Sequence, residues 1–331
     1  MNIIALCKNH GFAEAYLLPL VEYEDWTRLR DEGAFHHATA GLAGDMRQAY
    51  PWAKSVLLMI WRYFPVGRGR AFAATTVPPT PNYLASHKSY QALKVVREEL
   101  ETAGIRTEGA KIPLKLVAAK GGVGTILKNT MLAIAPYGSR VVLQALMVDA
   151  ELDIRNEALG MHSSPLTPQS SLPCAKCHAC EKACPFGAID GDGYHFEKCI
   201  RSYMGGAVME EWVMEGLPGL LGCDGCQDVC PMNARLPKRE LTKEEREAFA
   251  LDKLLAGISP LSVSPTSPLK EGGMDDALAL VGKNQKARMQ TQAIVLAGKS
   301  DNPAYLPALQ RLAESEDEAI RRAAQWAIGR G

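Results

Sequence analysis

No stretch of this chain approaches the roughly 18 apolar residues that a bilayer-spanning helix needs, so no membrane partner is expected. An excess of one charge is missing too. Lys+Arg and Asp+Glu stand equal at 37 each, which removes the global basic surplus that announces a nucleic-acid partner. A local basic face is still compatible with that balance. The first residues, Met-Asn-Ile-Ile-Ala-Leu-Cys-Lys-Asn-His, carry no basic n-region, and Lys8 and His10 break their apolar stretch. They do not read as a secretory leader, and no twin-arginine export signal accompanies them. The expected location is the cytoplasm. What remains is an ordinary globular composition, 47% apolar and 22% charged over 331 residues, long enough for two or three domains.

What the chain does have is cysteine in one place. Eight of its nine cysteines fall between Cys174 and Cys230. The run Cys174-Ala-Lys-Cys177-His-Ala-Cys180-Glu-Lys-Ala-Cys184-Pro185 has the C-x2-C-x2-C-x3-C-P spacing of two-cluster ferredoxins. Cys199 and then Cys223-Asp-Gly-Cys226-Gln-Asp-Val-Cys230-Pro231 follow. In that pattern three close thiolates wrap one cube, and the cysteine before proline reaches the other. The reading assigns Cys174, Cys177, Cys180 and Cys230 to one 4Fe–4S cluster, and Cys184, Cys199, Cys223 and Cys226 to a second. Zinc knuckles are the competing reading, but they favour two separated pairs over a triplet followed by C-x3-C-P. A disulfide framework does not suit a chain expected in a reducing compartment. Cys7, remote from these motifs on an apolar segment, reads as a core thiol.

Along the chain, residues 1–50 read mostly helical, Ala13 to Leu18 included. Ala53 to Trp61 reads as a buried strand, and residues 64–82 as a long loop. Ser86 to Ala103 has helical spacing, with Leu93, Val96 and Leu100 on one face and Gly104 as its stop. Gly121-Gly-Val-Gly124 reads as a tight helix-to-strand turn or a ligand cradle; no Lys-Ser/Thr follows in phosphate-loop register. The segments on either side of Pro136-Tyr-Gly-Ser read as two strands of one hairpin. Residues 155–173 look like a linker, Lys238 onward like a helix start, and 259–268 like a spacer. The tail holds Ala-rich helical phrases ending in Gly, the pattern of a short HEAT-like solenoid or of a plain helical cap.

Taken together, the chain resembles the epoxyqueuosine reductase family, related to reductive dehalogenases. The pieces that carry the likeness are Gly122-Val-Gly124 with Lys128-Asn-Thr-Met-Leu, Tyr137-Gly-Ser with the strand to Val148-Asp149, and Lys198-Cys-Ile-Arg. Leu221-Gly-Cys-Asp-Gly-Cys-Gln-Asp-Val-Cys-Pro-Met-Asn and Ile320-Arg-Arg-Ala-Ala-Gln-Trp-Ala complete it. The resemblance implies an α+β fold: a nitroreductase-like cobalamin-binding domain (1–165), a ferredoxin-like module with two 4Fe–4S clusters (166–245) and C-terminal HEAT-like helices (246–331). It implies electron flow from an external donor, such as ferredoxin or flavodoxin, through the clusters to cobalamin, where an oxygen leaves the substrate and the protein supplies a proton. Leu132, Leu143, Lys198, Arg201, Cys223 and Asp224 are then the corrin-binding positions. No histidine falls in a recognisable cobalt-ligand motif, which agrees with a corrin unligated by protein.

The chain departs from that family at the substrate end. The family places an aspartate before the glycine turn as proton donor; ungapped alignment through Gly122-Val-Gly124 puts Glu108 there. Lys111-Ile-Pro-Leu-Lys beside it is unlike the family and makes Lys111 a second candidate donor. Ser89-Tyr90-Gln91 replaces the family's Asp-Tyr-His. The expected function is a monomeric reductase of epoxyqueuosine in tRNA, its tail gripping the anticodon arm. The alternatives are a paralogue acting on a small molecule or on another corrinoid protein, and a plain electron-transfer ferredoxin.

Overall fold

A computed structural model describes residues 1–31, 41–67, 75–151, 174, 176–258 and 274–330. The expected linker (155–173) and the spacer (259–268) lie outside the described residues. By contacts the chain forms two compact units, residues 1–63 with 88–178, and residues 64–87 with 179–331. That grouping differs from the three consecutive stretches expected: the cysteine-rich segment from Ala179 shares one unit with the helical tail.

The first unit is built on an antiparallel sheet in the order β1 (Glu14–Pro19), β2 (Ser55–Arg62), β6 (Val141–Val148), β3 (Thr107–Gly109). Side chains alternate across a strand, so β2 feeds two cores. Val56, Leu58 and Ile60 meet helix α3 (Met46–Ala49) and helix α5 (Leu114–Lys120) on one face. Leu57 and Met59 meet α1 (Ile3–Asn9) and Leu93, Val96 and Leu100 of α4 (Pro81–Thr102) on the other. A strand buried on both faces reads as a continuous apolar run, which is why β2 was legible in the sequence. Cys7 is indeed core: it is fully buried, and burial pushes its thiol up to about 12.

Two sequence expectations fail here. Ala13 to Leu18 is not helical but forms β1, paired residue by residue with β2 from Glu14–Ile60 to Pro19–Ser55. Glu, Ala and Leu favour helices locally, yet Ala15 and Leu17 face one core while Leu18 faces the other, and burial overrides propensity. The expected hairpin also dissolves. The turn forms, with the Ile134 N–H donating to Gly138 O at 2.8 Å. Its flanks part, however: β5 (Leu132–Ala133) pairs with β4 (Thr125–Ile126), while β6 takes β2 and β3 as neighbours. The turn Gly121–Gly124 does join α5 to β4. Gly122 has φ +73, and a Cβ on Gly124 would stand 2.7 Å from Ala133 O, so the close β4–β5 approach needs glycine.

The second unit has a single core that includes Phe249, Leu254, Met289, Ile294, Leu312 and Ala324. The helix expected from Lys238 begins instead at Lys243 (α10, Lys243–Ala248), because Thr242 and Glu245 close a reciprocal capping box there. Helix α11 (Leu251–Ala256) follows, then α12 (Met274–Val281), α13 (Lys286–Lys299), α14 (Leu306–Ala313) and α15 (Glu318–Ile328). A Cβ on Gly298 would fall 2.5 Å from that of Ala327, so the Ala/Gly phrases of the tail are what let α13 and α15 pack closely. No described helix is long and apolar enough to cross a membrane.

Candidate metal centre and active site

Short elements present the cysteines of the second unit: α6 (Ala179–Ala183) carries Cys180 and is followed by Cys184, Cys199 caps α7 (Ile200–Tyr203), and Cys223 and Cys226 flank the start of α9 (Gly225–Asp228). Helices α6 and α9 pack together. Burial pushes the Cys223 thiol up; the Gly225 N–H opposes this, and Cys199, Asp224 and Cys184 push it up again through their charges. Tyr194 is likewise raised by burial and then by Cys199 and Cys226. The four cysteines expected to share a cluster, Cys184, Cys199, Cys223 and Cys226, are therefore electrostatic neighbours in one half-buried place. Crowded thiolates destabilise one another unless cations sit among them, and bound metal reverses that penalty. None of the nine cysteines is in a disulfide. Among the described residues no three His, Cys, Asp or Glu side chains close on a single-ion site.

Buried polar groups hold these loops, and of them the sequence reading singled out Asp224 alone. Asp224 Oδ1 accepts from Gln227 Nε2 at 3.1 Å, and Asn233 Nδ2 donates to Gln227 O at 2.8 Å. Gln292 of α13, fully buried, accepts the Leu221 N–H at 2.7 Å and donates to Met204 O at 3.1 Å. It thus braces the chain just before Cys223 and just after α7. The Gln292→Met variant keeps the volume and loses both bonds, leaving a buried N–H and a buried C=O unpaired at about 1–3 kcal/mol each. Denaturant unfolding of the cluster-loaded protein should show that loss together with faster iron release. An unchanged midpoint and iron content would mean the bridge holds nothing.

The other expected set, Cys174, Cys177, Cys180 and Cys230, is divided between the two units. In the first, Cys174 Sγ accepts the Lys128 N–H at 3.4 Å and Lys128 Nζ donates to Cys177 O at 3.5 Å. The Lys128-Asn-Thr turn thus grips the start of the cysteine run. In the second, Cys180 is buried on α6, and Cys230 opens the turn Pro231–Asn233 after α9, its N–H donating to Gln227 O at 3.3 Å.

Of the remaining candidates, the first unit holds four. Leu132 is buried and Leu143 packs partly buried against the same apolar cluster. Glu108 is exposed on β3, opposite Met147 of β6. Lys111 is exposed, but its backbone is pinned: its N–H donates to Tyr50 Oη at 2.9 Å and its carbonyl accepts from the Ala43 N–H at 2.9 Å. Tyr50 Oη also donates to Gly109 O at 3.4 Å, so one phenol clamps the strand end between the two candidates. Nothing in the sequence marked Tyr50. In the second unit Lys198 and Arg201 are exposed and Asp224 is buried. Cys223, Asp224 and Gly225 border a cavity of about 370 Å³ whose other walls include Pro78, Pro79, Phe186 and Leu296. Proline and glycine walls make it a stiff apolar recess at the edge of the second cysteine set.

Residues 173–233 match the family described as a 4Fe-4S double cluster binding domain, which makes this segment an iron–sulfur site. An epoxyqueuosine reductase of Listeria monocytogenes is 30% identical over 64% of this chain and 52% of its own length. One of Aliivibrio fischeri is 27% identical over 99% of this chain and 90% of its own. The chain spans only 52%, 58% and 56% of the Listeria, Bacillus subtilis and Lactococcus garvieae relatives. Among solved structures, epoxyqueuosine reductase from Streptococcus thermophilus superposes with a TM-score of 0.70 at 17% identity, covering 98% of this chain and 88% of that one. An epoxyqueuosine reductase solved with an epoxyqueuosine-modified tRNA-Tyr stem loop gives 0.69 at 20% identity, over 99% and 88%. The chain thus carries a 4Fe-4S double cluster segment, has the fold of the solved epoxyqueuosine reductases, and is similar along nearly its whole length to curated epoxyqueuosine reductases.

Proposed function

We propose that the protein reduces epoxyqueuosine to queuosine in tRNA, using two 4Fe–4S clusters and cobalamin. The observation that carries this is the likeness to a named epoxyqueuosine reductase across 99% of the chain, cysteine segment included. In this reading the first unit contains a nitroreductase-like core, and the tail from α12 to α15 is a HEAT-like support. Cobalamin, when bound, supplies the reducing centre that takes the oxygen from carbon.

The chain's own residues have four tasks. Leu132 and Leu143 give the corrin an apolar bed, while Lys198, Arg201, Cys223 and Asp224 meet its edge, the last two where the apolar recess opens. Eight cysteines hold the clusters, and backbone N–H groups of Lys128 and Gly225 aimed at Cys174 and Cys223 tune them. Glu108 holds the proton for the leaving oxygen. Lys111, two residues past β3, is the alternative donor.

A paralogous corrinoid iron–sulfur reductase is the second reading. It is favoured by the pairing of Glu108 with an exposed Lys111, where the family carries an aspartate and no such lysine segment. Anaerobic cluster-loaded protein should bind cobalamin at micromolar concentration with its dimethylbenzimidazole displaced, seen as a change in the visible spectrum. It should then convert epoxyqueuosine in a tRNA stem loop under a chemical reductant. Dialysis that detects no cobalamin binding would leave only the plain ferredoxin reading. Binding without conversion would point to the paralogue.

A further inference from the structure

Three side chains of the second unit converge on one oxygen. Tyr83, at the start of α4, is 9% exposed. The Arg201 guanidinium lies over its ring 5.5 Å from the centroid, and that of Arg288 lies 5.3 Å away. Both arginines donate to the same phenol oxygen, Arg201 through Nη2 in a short contact and Arg288 through Nη1 at 3.4 Å. Two like charges thus face one another across a single atom. Among the described residues neither has a carboxylate partner. The contrast lies in the same unit: Arg239 is held by Glu245 at 2.5 and 3.0 Å, and Arg330 by Glu215 at 2.8 Å.

Like charges brought this close repel, and an anion between them turns the repulsion into attraction. The donors also have the right form. Each guanidinium is a planar fork suited to two oxygens of one phosphate, and Tyr83, which accepts from both arginines, keeps its own O–H to donate. We propose that Arg201, Arg288 and Tyr83 form a binding site for a phosphodiester anion. The proposal deepens the functional reading above and rests on it for the choice of ligand, because both molecules named there carry that group: the RNA backbone and the nucleotide tail of cobalamin. Arg201 thereby gains a partner on α13 that spacing around Cys199 did not reveal.

The test is arginine labelling by phenylglyoxal on the full-length, cluster-loaded protein, read by mass spectrometry at Arg201 and Arg288, with exposed Arg322 as control. Millimolar inorganic phosphate should slow labelling of both several-fold relative to chloride at equal ionic strength, leaving Arg322 unchanged. In Tyr83→Phe, which keeps the ring, most of that protection should go. Protection by an unmodified RNA stem loop assigns the site to the substrate backbone. Protection by cobalamin but not by cobinamide, which lacks the nucleotide tail, assigns it to the cofactor. No protection by phosphate overturns the proposal, as does equal protection by cobinamide and cobalamin without any by phosphate. Should phosphate protect while cobalamin titration and tRNA turnover are both silent, the functional reading falls and the anion site stands.

Discussion

Anaerobically reconstituted protein is expected to carry about eight irons and eight sulfides per chain, the content of two cubes. Cys223→Ala should lose about half of that iron and all reductase activity, because one missing thiolate opens a cube and electrons no longer cross it. The choice of Cys223 follows from its surroundings: its thiol feels Cys199 and Cys184 and receives the Gly225 N–H. Cys7→Ala is the matched control. Cys7 is fully buried in the first unit among Ile3, Leu6 and Phe12, so its loss should cost some stability and no iron. Recovery of zinc in place of iron after anaerobic reconstitution with both metals would sink the cluster assignment, whatever the motif suggests.

Turnover in Glu108→Gln is expected to fall by roughly 100-fold or more, the scale for losing a general acid, with iron content and cobalamin binding unchanged. Removing an oxygen from carbon requires a proton at that oxygen, and a carboxyl covered by bound substrate stays protonated more readily than one in water. Glu108 is exposed on an edge strand, so in this reading it is the bound ligands that cover it. Its backbone is firm, because Tyr50 clamps the residues just after it. Placement matters: a shift of about 1 Å can cost on the order of 100-fold in a positioned site, and glutamate is one methylene longer than the family's aspartate. Lys111→Met is run beside it. A loss confined to the lysine variant moves the donor to Lys111 and favours the paralogue; equal activity of Glu108→Gln and unmutated protein removes Glu108 from the chemistry.

The sequence by itself determined the iron–sulfur segment, because thiolate chemistry ties ligands to fixed short spacings that survive in one dimension. It also determined β2 and the buried face of α4, where apolar periodicity matches the burial seen at Leu58, Val96 and Leu100. Tertiary structure alone decided the rest. Ala13 to Leu18 became a strand only because β2 was there to pair with it and two cores were there to fill. The expected hairpin gave way because β2 and β3 take both hydrogen-bonding edges of β6. Gln292, Tyr50, and Tyr83 with its two arginines lie far in sequence from the groups they brace, and no local pattern distinguishes such residues from ordinary surface polars. Gln292, Tyr50 and Tyr83 owe their roles to burial, which makes each unpaired hydrogen bond costly, and the arginines owe theirs to Tyr83; both exist only once the chain has folded.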